Sequence, residues 1–357
     1  MQTDNHLKVL DGWRGLSIVL VLVAHLVPLG EKTVALFARP FNSIAPAYFA
    51  IDPPAWRIND AIGMLGMVVF FNLSGFLITS FLLRERATVA AFLIRRLCRI
   101  LPLAWLYLAV VLAFTDATIA QWAANWFFYA NLPPTHLVPL TDHFWSLCVE
   151  MQFYVGVAIL FSVSRKYGLF ALLFLCVFFT LFRVYHVVAV SSVTYFRIDE
   201  ILAGCVLALI FHGRFGQAGE WALHKIRAVP QWSLLLVLIA SCFHQAGWLN
   251  YLRPYLAAAL IGATLLTPQT RLAKGLQVRV LIYLAAVSYA LYVVHIGLTG
   301  TWLGSGEYPE KHLKRPLLLV VLFVLAHCST YYYEQRWIAF GKRLSERIER
   351  KRAVSPQ

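Results

Sequence analysis

Charge is scarce in this sequence. Asp, Glu, Lys and Arg make up 13% of its 357 residues, against roughly 25% in an ordinary soluble domain. Acids are rarer than bases, 17 against 31. The usual soluble-enzyme signatures are also missing. The chain has no glycine-rich phosphate loop, no HExxH and no GxSxG, which removes P-loop, zincin and nucleophile-elbow chemistry. The six cysteines, at 98, 148, 176, 205, 242 and 328, include no CxxC or finger-like spacing. They read as small buried hydrophobes, and neither a metal site nor a disulfide is expected. No internal repeat and no appended soluble domain is visible. No small-residue cleavage site follows the apolar run after Lys8 and Arg14, so the first segment is expected to be a retained helix.

Apolar residues dominate instead, at 60% of the chain. A spanning helix needs about 20 predominantly apolar residues, and such windows recur almost end to end. The expected fold is all-α: a polytopic integral membrane helix bundle of about ten transmembrane helices. The segments are 11–30, 61–83, 97–115, 145–163, 167–187, 196–212, 229–246, 252–268, 281–303 and 316–338. The formal charge of +14 sits between these runs, so it reads as positive-inside topology and no nucleic-acid partner is expected. Most Lys and Arg fall in alternate loops, among them Arg84, Arg86, Arg95, Arg96 and Arg99, and in the C-terminal segment. That alternation gives an N-in, C-in bundle over 1–340, with 341–357 as a basic cytoplasmic tail against the inner lipid surface. Two long outer loops, 31–60 and 116–144, carry prolines and aromatics and read as interfacial or lid segments.

Ionisable side chains within such segments are costly and point to function or to internal pairing. Arg14 and His25 are eleven residues apart, close to three helical turns, so they share one face about 16 Å apart. With Arg14 near the inner boundary, His25 is expected about halfway across the bilayer, as a site residue or as a packing histidine. His143, Trp145 and Ser146 open the fourth segment, and Glu150 lies one to two turns deeper. A carboxylate there is paired or protonated, at a site or in a fold-holding ion pair. Asp199 caps, pairs locally or serves the site. His295 packs or serves the site. Glu334 has a simple partner in Arg95, Arg96 or Arg99. Those arginines with Arg14 set topology or hold a phosphate-bearing molecule. Asn72, Ser74 and Gly75 interrupt an apolar run, which suits close helix packing. The Asn72–Ser74 sequon is inside a helix and is not expected to be glycosylated.

These elements, in this order, resemble the membrane acyltransferase 3 family of O-acyltransferases over nearly the whole chain. Leu10-Asp11-Gly12-Trp13-Arg14-Gly15 followed by His25 is similar to the family's arginine-x10-histidine opening. Val69 to Ile78, with Asn72, Ser74 and Gly75, is similar to its second-helix motif. Arg95-Arg96-Leu97-Cys98-Arg99 resembles the basic start of its third helix. His143-Phe144-Trp145-Ser146-Leu147-Cys148-Val149-Glu150 is the most specific match. Arg197-Ile198-Asp199, Ser288-Tyr289 with His295, and Glu334 complete the series. Where the family often has two adjacent acids after the tryptophan, this chain has Glu150 followed by Met151, so Glu150 stands alone.

The resemblance implies transfer of an acyl group, acetyl by preference, from cytoplasmic acetyl-coenzyme A to a hydroxyl of a saccharide or lipid-linked glycan in a bacterial cytoplasmic membrane. No metal is implied. It makes His25 the general base and Glu150 its orienting carboxylate. It gives Arg14, Arg95, Arg96 and Arg99 to the coenzyme phosphates, and Ser74, His143, Trp145, Ser146, Asp199 and His295 to support of the site. A proton-coupled transporter or a non-catalytic glycan exporter uses the same residue types; inverted repeats, which favour a transporter, are not visible. The topology is open to test. With the native cysteines replaced, single cysteines at Ala117 and Thr135 are expected to react with an impermeant maleimide added outside intact cells, and one at Ala87 is not. Outside labelling at Ala87 inverts the map.

Overall fold

The computed structural model describes residues 2–27, 55–83 and 88–354. Most of the 31–60 loop, and the inner-loop residues Arg84, Arg86 and Ala87, lie outside them. The described residues form helices α1 (Gln2–Leu26), α2 (Ala55–Leu82), α3 (Val89–Ala113), α4 (Ile119–Trp126), α5 (Trp145–Val163), α6 (Arg165–Tyr185) and α7 (Asp199–Phe211). Then follow α8 (Gly216–Ala228), α9 (Gln231–Ser241), α10 (Leu249–Leu266), α11 (Arg271–Leu276), α12 (Arg279–Thr299), α13 (Tyr308–Cys328) and α14 (Gln335–Val354). Among the described residues there is no strand.

The fold class agrees with the sequence, and each of the ten expected segments falls on a helix. Among the described residues seven helices are long and apolar enough to cross a membrane, and an eighth span results if α7 and α8, bent by 109° at their junction, count as one. Part of the shortfall from ten has a length reason: α9 has 11 residues, about 16 Å of helix, against a core of about 30 Å. The bundle's exterior is apolar. Phe174, Phe178 and Leu181 of α6, and Val320 and Val324 of α13, are exposed. A surface of that kind is a liability in water and ordinary against lipid.

Three boundaries differ from the sequence reading and matter for the site. α1 stops at Leu26, and His25 therefore stands in its last turn; a proline two residues beyond Leu26 in the sequence disfavours a helical Val27. α2 begins at Ala55, so Asn59 and Asp60 belong to a helix and not to a loop. Residues 341–354, the described part of the expected tail, continue α14 through Gly341 without a break. That helix packs along α3, where Arg95 donates to Ser345 at 2.6 Å and pairs with Glu349 at 3.2 Å. The 116–144 segment is ordered as a cap. Thr118 and Gln121 form a capping box on α4, the rings of Trp105 and Trp126 stack, and Gln152 of α5 donates to the Phe128 carbonyl at 2.8 Å.

The bundle is centred on α1, which packs against α12 and α2, and on the α2–α7 pair. The latter is the close approach expected from Asn72, Ser74 and Gly75. A side-chain carbon on Gly75 would lie 1.9 Å from the Ile201 carbonyl oxygen, and one on Gly204 would lie 2.0 Å from that of Asn72. The two glycines thus let the backbones touch, which brings Ser74 into the centre. Gly75→Val is expected to cost the upper end of about 1–3 kcal/mol or more, seen as a lower unfolding midpoint in detergent. Gly156→Val, with nothing within 4 Å of its new carbon, is expected to leave the midpoint unchanged.

Candidate functional site

Two cavities lie inside the bundle and share the walls Val21, Met67 and Tyr292. The first is lined by Arg14, Arg96, Arg99, Ser74, Glu150 and Tyr154. The second is lined by His25, His143, Trp145, Asn59, Asp60 and Arg197. Arg14 and His25 therefore do share a face of α1, one opening on each cavity, with about three turns or 16 Å of rise between them. A third opening, lined by Arg95, Arg96, Arg99 and Lys342, adjoins the first cavity through its shared arginines. The linings thus differ: Arg14, Arg96 and Arg99 gather at one end, and His25 and His143 at the other, with Arg197.

In the arginine chamber Glu150 is buried at 6% exposure. Its Oε1 accepts from Ser74 at 2.8 Å and from Tyr154 at 2.5 Å. Three guanidiniums thus face one carboxylate. Arg14 has Asp11 at 4.0 Å, Arg96 lies over the Tyr154 ring, and among the described residues neither Arg96 nor Arg99 has an ion-pair partner. Planar, unpaired guanidiniums around a cavity are suited to bidentate contacts with phosphate or carboxylate oxygens. Ser146 and Tyr292 share a hydrogen bond of 2.6 Å, and Tyr292 also donates to the His143 carbonyl. This knot sits where the two cavities meet.

Glu150 does not hydrogen-bond His25. It projects from α5 towards α2, whereas His25 ends α1, whose neighbour there is α12. The partner of His25 is His295, with Nδ1 and Nε2 3.1 Å apart. The proton positions follow from the acceptors. His295 Nδ1 lies 2.6 Å from the Tyr292 carbonyl oxygen, which only accepts, so that nitrogen carries the hydrogen. In a neutral His295 the Nε2 is then an acceptor, and His25 Nδ1 must donate to it. A neutral His25 is left with an unprotonated Nε2, the form a proton acceptor needs. His143 packs edge-on to His295, and its Nε2 donates to the Val293 carbonyl at 3.2 Å.

Asp199 stands apart from both cavities. It is fully buried and pairs with Arg183 of α6 at 2.5 Å, while Thr180 also donates to it. Its neighbour Glu200 pairs with Arg197 at 3.2 Å and with Arg253 of α10 at 3.3 Å. Arg183 and Arg253 both donate to the Ala189 carbonyl. This cluster ties α6, α7 and α10 together, so the pairing of Asp199 reaches across helices and is not local. Arg183 and Arg253 were not picked out from the sequence, although an arginine inside an apolar run was a sufficient signal. Glu334 also differs from expectation. A π-helical turn over Ser329–Glu334 folds it onto its own segment, where it accepts from Ser329 and Thr330 and forms no ion pair with Arg95, Arg96 or Arg99.

A family model described as an acyltransferase domain matches residues 7–334. The O-acetyltransferase OatA proteins of Staphylococcus aureus strains NCTC 8325 / PS 47 and COL are each 27% identical to this chain over 311 residues, which cover 73% of it. The chain spans about half the length of these relatives, 50% in each case. No solved structure matches it significantly.

The buried ion cluster is expected to dominate local stability. Asp199→Ala leaves the buried Arg183 guanidinium without its carboxylate and is expected to cost about 3–5 kcal/mol, measured by unfolding in detergent. Glu310→Gln, which removes the partner of Lys314 from a site where the carboxylate is 57% exposed, is expected to cost under about 1 kcal/mol.

Proposed function

Because this chain belongs to the acyltransferase domain family, we propose that it transfers an acyl group, acetyl by preference, from a cytoplasmic acyl-coenzyme A to a hydroxyl of a saccharide or lipid-linked glycan in a bacterial cytoplasmic membrane. The observation that carries the reading is the pair of adjoining cavities, one lined by Arg14, Arg96 and Arg99 and the other by His25. The arginines are suited to coenzyme phosphates. Arg95 is held by Glu349 and Ser345 at the third opening, so its part is to admit the donor. The pantetheine arm then runs past Ser146 and Tyr292 and delivers the thioester to His25.

The chemistry asks for one base. His25 Nε2 takes the proton of the acceptor hydroxyl as its oxygen bonds to the thioester carbonyl carbon. The carbon–sulfur bond breaks, and the proton leaves with the coenzyme thiolate. His295 holds His25 in the tautomer this step requires, taking the place the sequence assigned to Glu150. Glu150 instead balances charge in the donor chamber. The N-in, C-in map supports donor access from the cytoplasm, with the acceptor approaching the histidine end from the opposite side.

His25→Ala is expected to lower turnover by roughly 10²–10⁴ with folding intact, in an assay of radiolabelled acetyl-coenzyme A with envelope glycan. In the same assay Arg14→Lys keeps the charge but loses the planar fork, so the donor KM is expected to rise more than the acceptor KM. Near-normal turnover in a folded His25→Ala protein, or an effect of Arg14→Lys confined to the acceptor, removes the corresponding assignment.

A further inference from the structure

Buried polar atoms in a native protein almost always find partners, and an orphan costs about 1–3 kcal/mol. Around the histidine cavity this rule is broken repeatedly. Asn59 Oδ1 and His143 Nδ1 are buried without a hydrogen bond. Arg197 is 3% exposed on its side chain; its Nε faces Glu200 at 3.2 Å, while among the described residues its Nη1 reaches only the Met64 thioether at 3.8 Å, a weak acceptor. Asp60, one residue along α2, is exposed and has no ion-pair partner among the described residues, so it adds an open acceptor and not a buried orphan. All four side chains line the cavity that holds His25.

The set of open groups defines the occupant. Asn59, Asp60 and His143 offer acceptors, and Arg197 offers donors. An apolar lipid chain leaves every one of them unsatisfied. A dense anion is opposed by Asp60; the charge of Arg197 is already met by Glu200, and a metal ion finds no group of three His, Cys, Asp or Glu side chains among the described residues. A neutral polyhydroxyl group suits Asp60 and Arg197 alike, because each hydroxyl donates to one partner and accepts from another. Asn59 lies in the second turn of α2 and Arg197 just before α7, so the α2–α7 contact that Gly75 and Gly204 permit also sets their separation.

We infer that this cavity is a saccharide subsite in which Asn59, Asp60 and Arg197 hold the hydroxyls beside the one that His25 deprotonates. The inference rests on the acyl-transfer reading and gives the acceptor its residues. Two measurements test it on the purified full chain in detergent. The first is equilibrium binding of methyl glycosides of glucose, galactose, mannose and N-acetylglucosamine, followed by tryptophan fluorescence with Trp145 in the cavity wall. The second is the ratio of acetyl ester to free acetate formed from radiolabelled acetyl-coenzyme A with the same sugars. Asn59→Leu and Asp60→Leu are each expected to weaken binding, and to lower the ratio, about tenfold, the equivalent of one well-made hydrogen bond at about 1.4 kcal/mol. Asn59→Asp, which keeps an acceptor oxygen, is expected to retain most of both, and the donor KM is expected to stay within about twofold throughout. Sugar binding that these substitutions weaken, in a protein that transfers no acetyl, supports the subsite and overturns the acyl-transfer reading. No binding of any of the sugars, or binding and product ratio unchanged in correctly folded Leu variants, overturns the subsite.

Discussion

A guanidinium taken out of water has to find its hydrogen-bond partners inside the protein, and in a bilayer nothing else is on offer. Arg183 and Arg253 meet that demand together. Each reaches a carboxylate on consecutive residues of α7, and each also takes the Ala189 carbonyl. The result is a cluster that fixes α6, α7 and α10 and the segment between α6 and α7. α7 in turn holds α2 through the glycine contact. α2 supplies both Ser74 to the arginine chamber and Asn59 and Asp60 to the histidine cavity. The site is therefore built outward from a charge-paired ionic core, and its two cavities inherit their spacing from it.

The same accounting separates architecture from chemistry. Several polar groups that hold helices together are paired across them: Trp13 donates to Thr264, Gln231 to Ala263 and Thr267, and Asn131 to Ser192 and Thr194. Groups around the two cavities keep spare capacity, as Arg96, Arg99, Asn59 and Arg197 do. An enzyme has reason to carry such a cost where a substrate will complete the set, because binding energy is then recovered where the reaction occurs. The histidine pair is an intermediate case. A main-chain carbonyl settles one proton, that proton settles the next, and the last nitrogen in the row is left open.

Much of this was legible before any coordinates. Apolar windows gave the helical class, and all ten segments found helices, because the need for about 20 apolar residues is a local property of the chain. The eleven-residue spacing of Arg14 and His25 gave a shared face, since helical periodicity is local too. Asn72, Ser74 and Gly75 pointed to a close helix contact and made one. The ends of helices are less legible: α1 ends four residues before its expected boundary and α2 begins six residues before its own, which puts Asn59 and Asp60 on a helix and not in the expected loop. Single-residue signals were also passed over at Arg183 and Arg253.

What sequence determined by itself, then, was the solvent of this protein, its helices, and which side chains share a helical face. Pairing between helices was decided only by tertiary structure. His25 and His295 are 270 positions apart, and no periodicity links them; Glu150 was an equally reasonable partner until the packing sent it to Ser74 and Tyr154. The same holds for the choice of Arg183 by Asp199 and of Ser345 and Glu349 by Arg95. Such contacts depend on the rotation and depth of each helix against its neighbours, and these are set by the packing of the whole bundle, down to two glycines at which backbones touch.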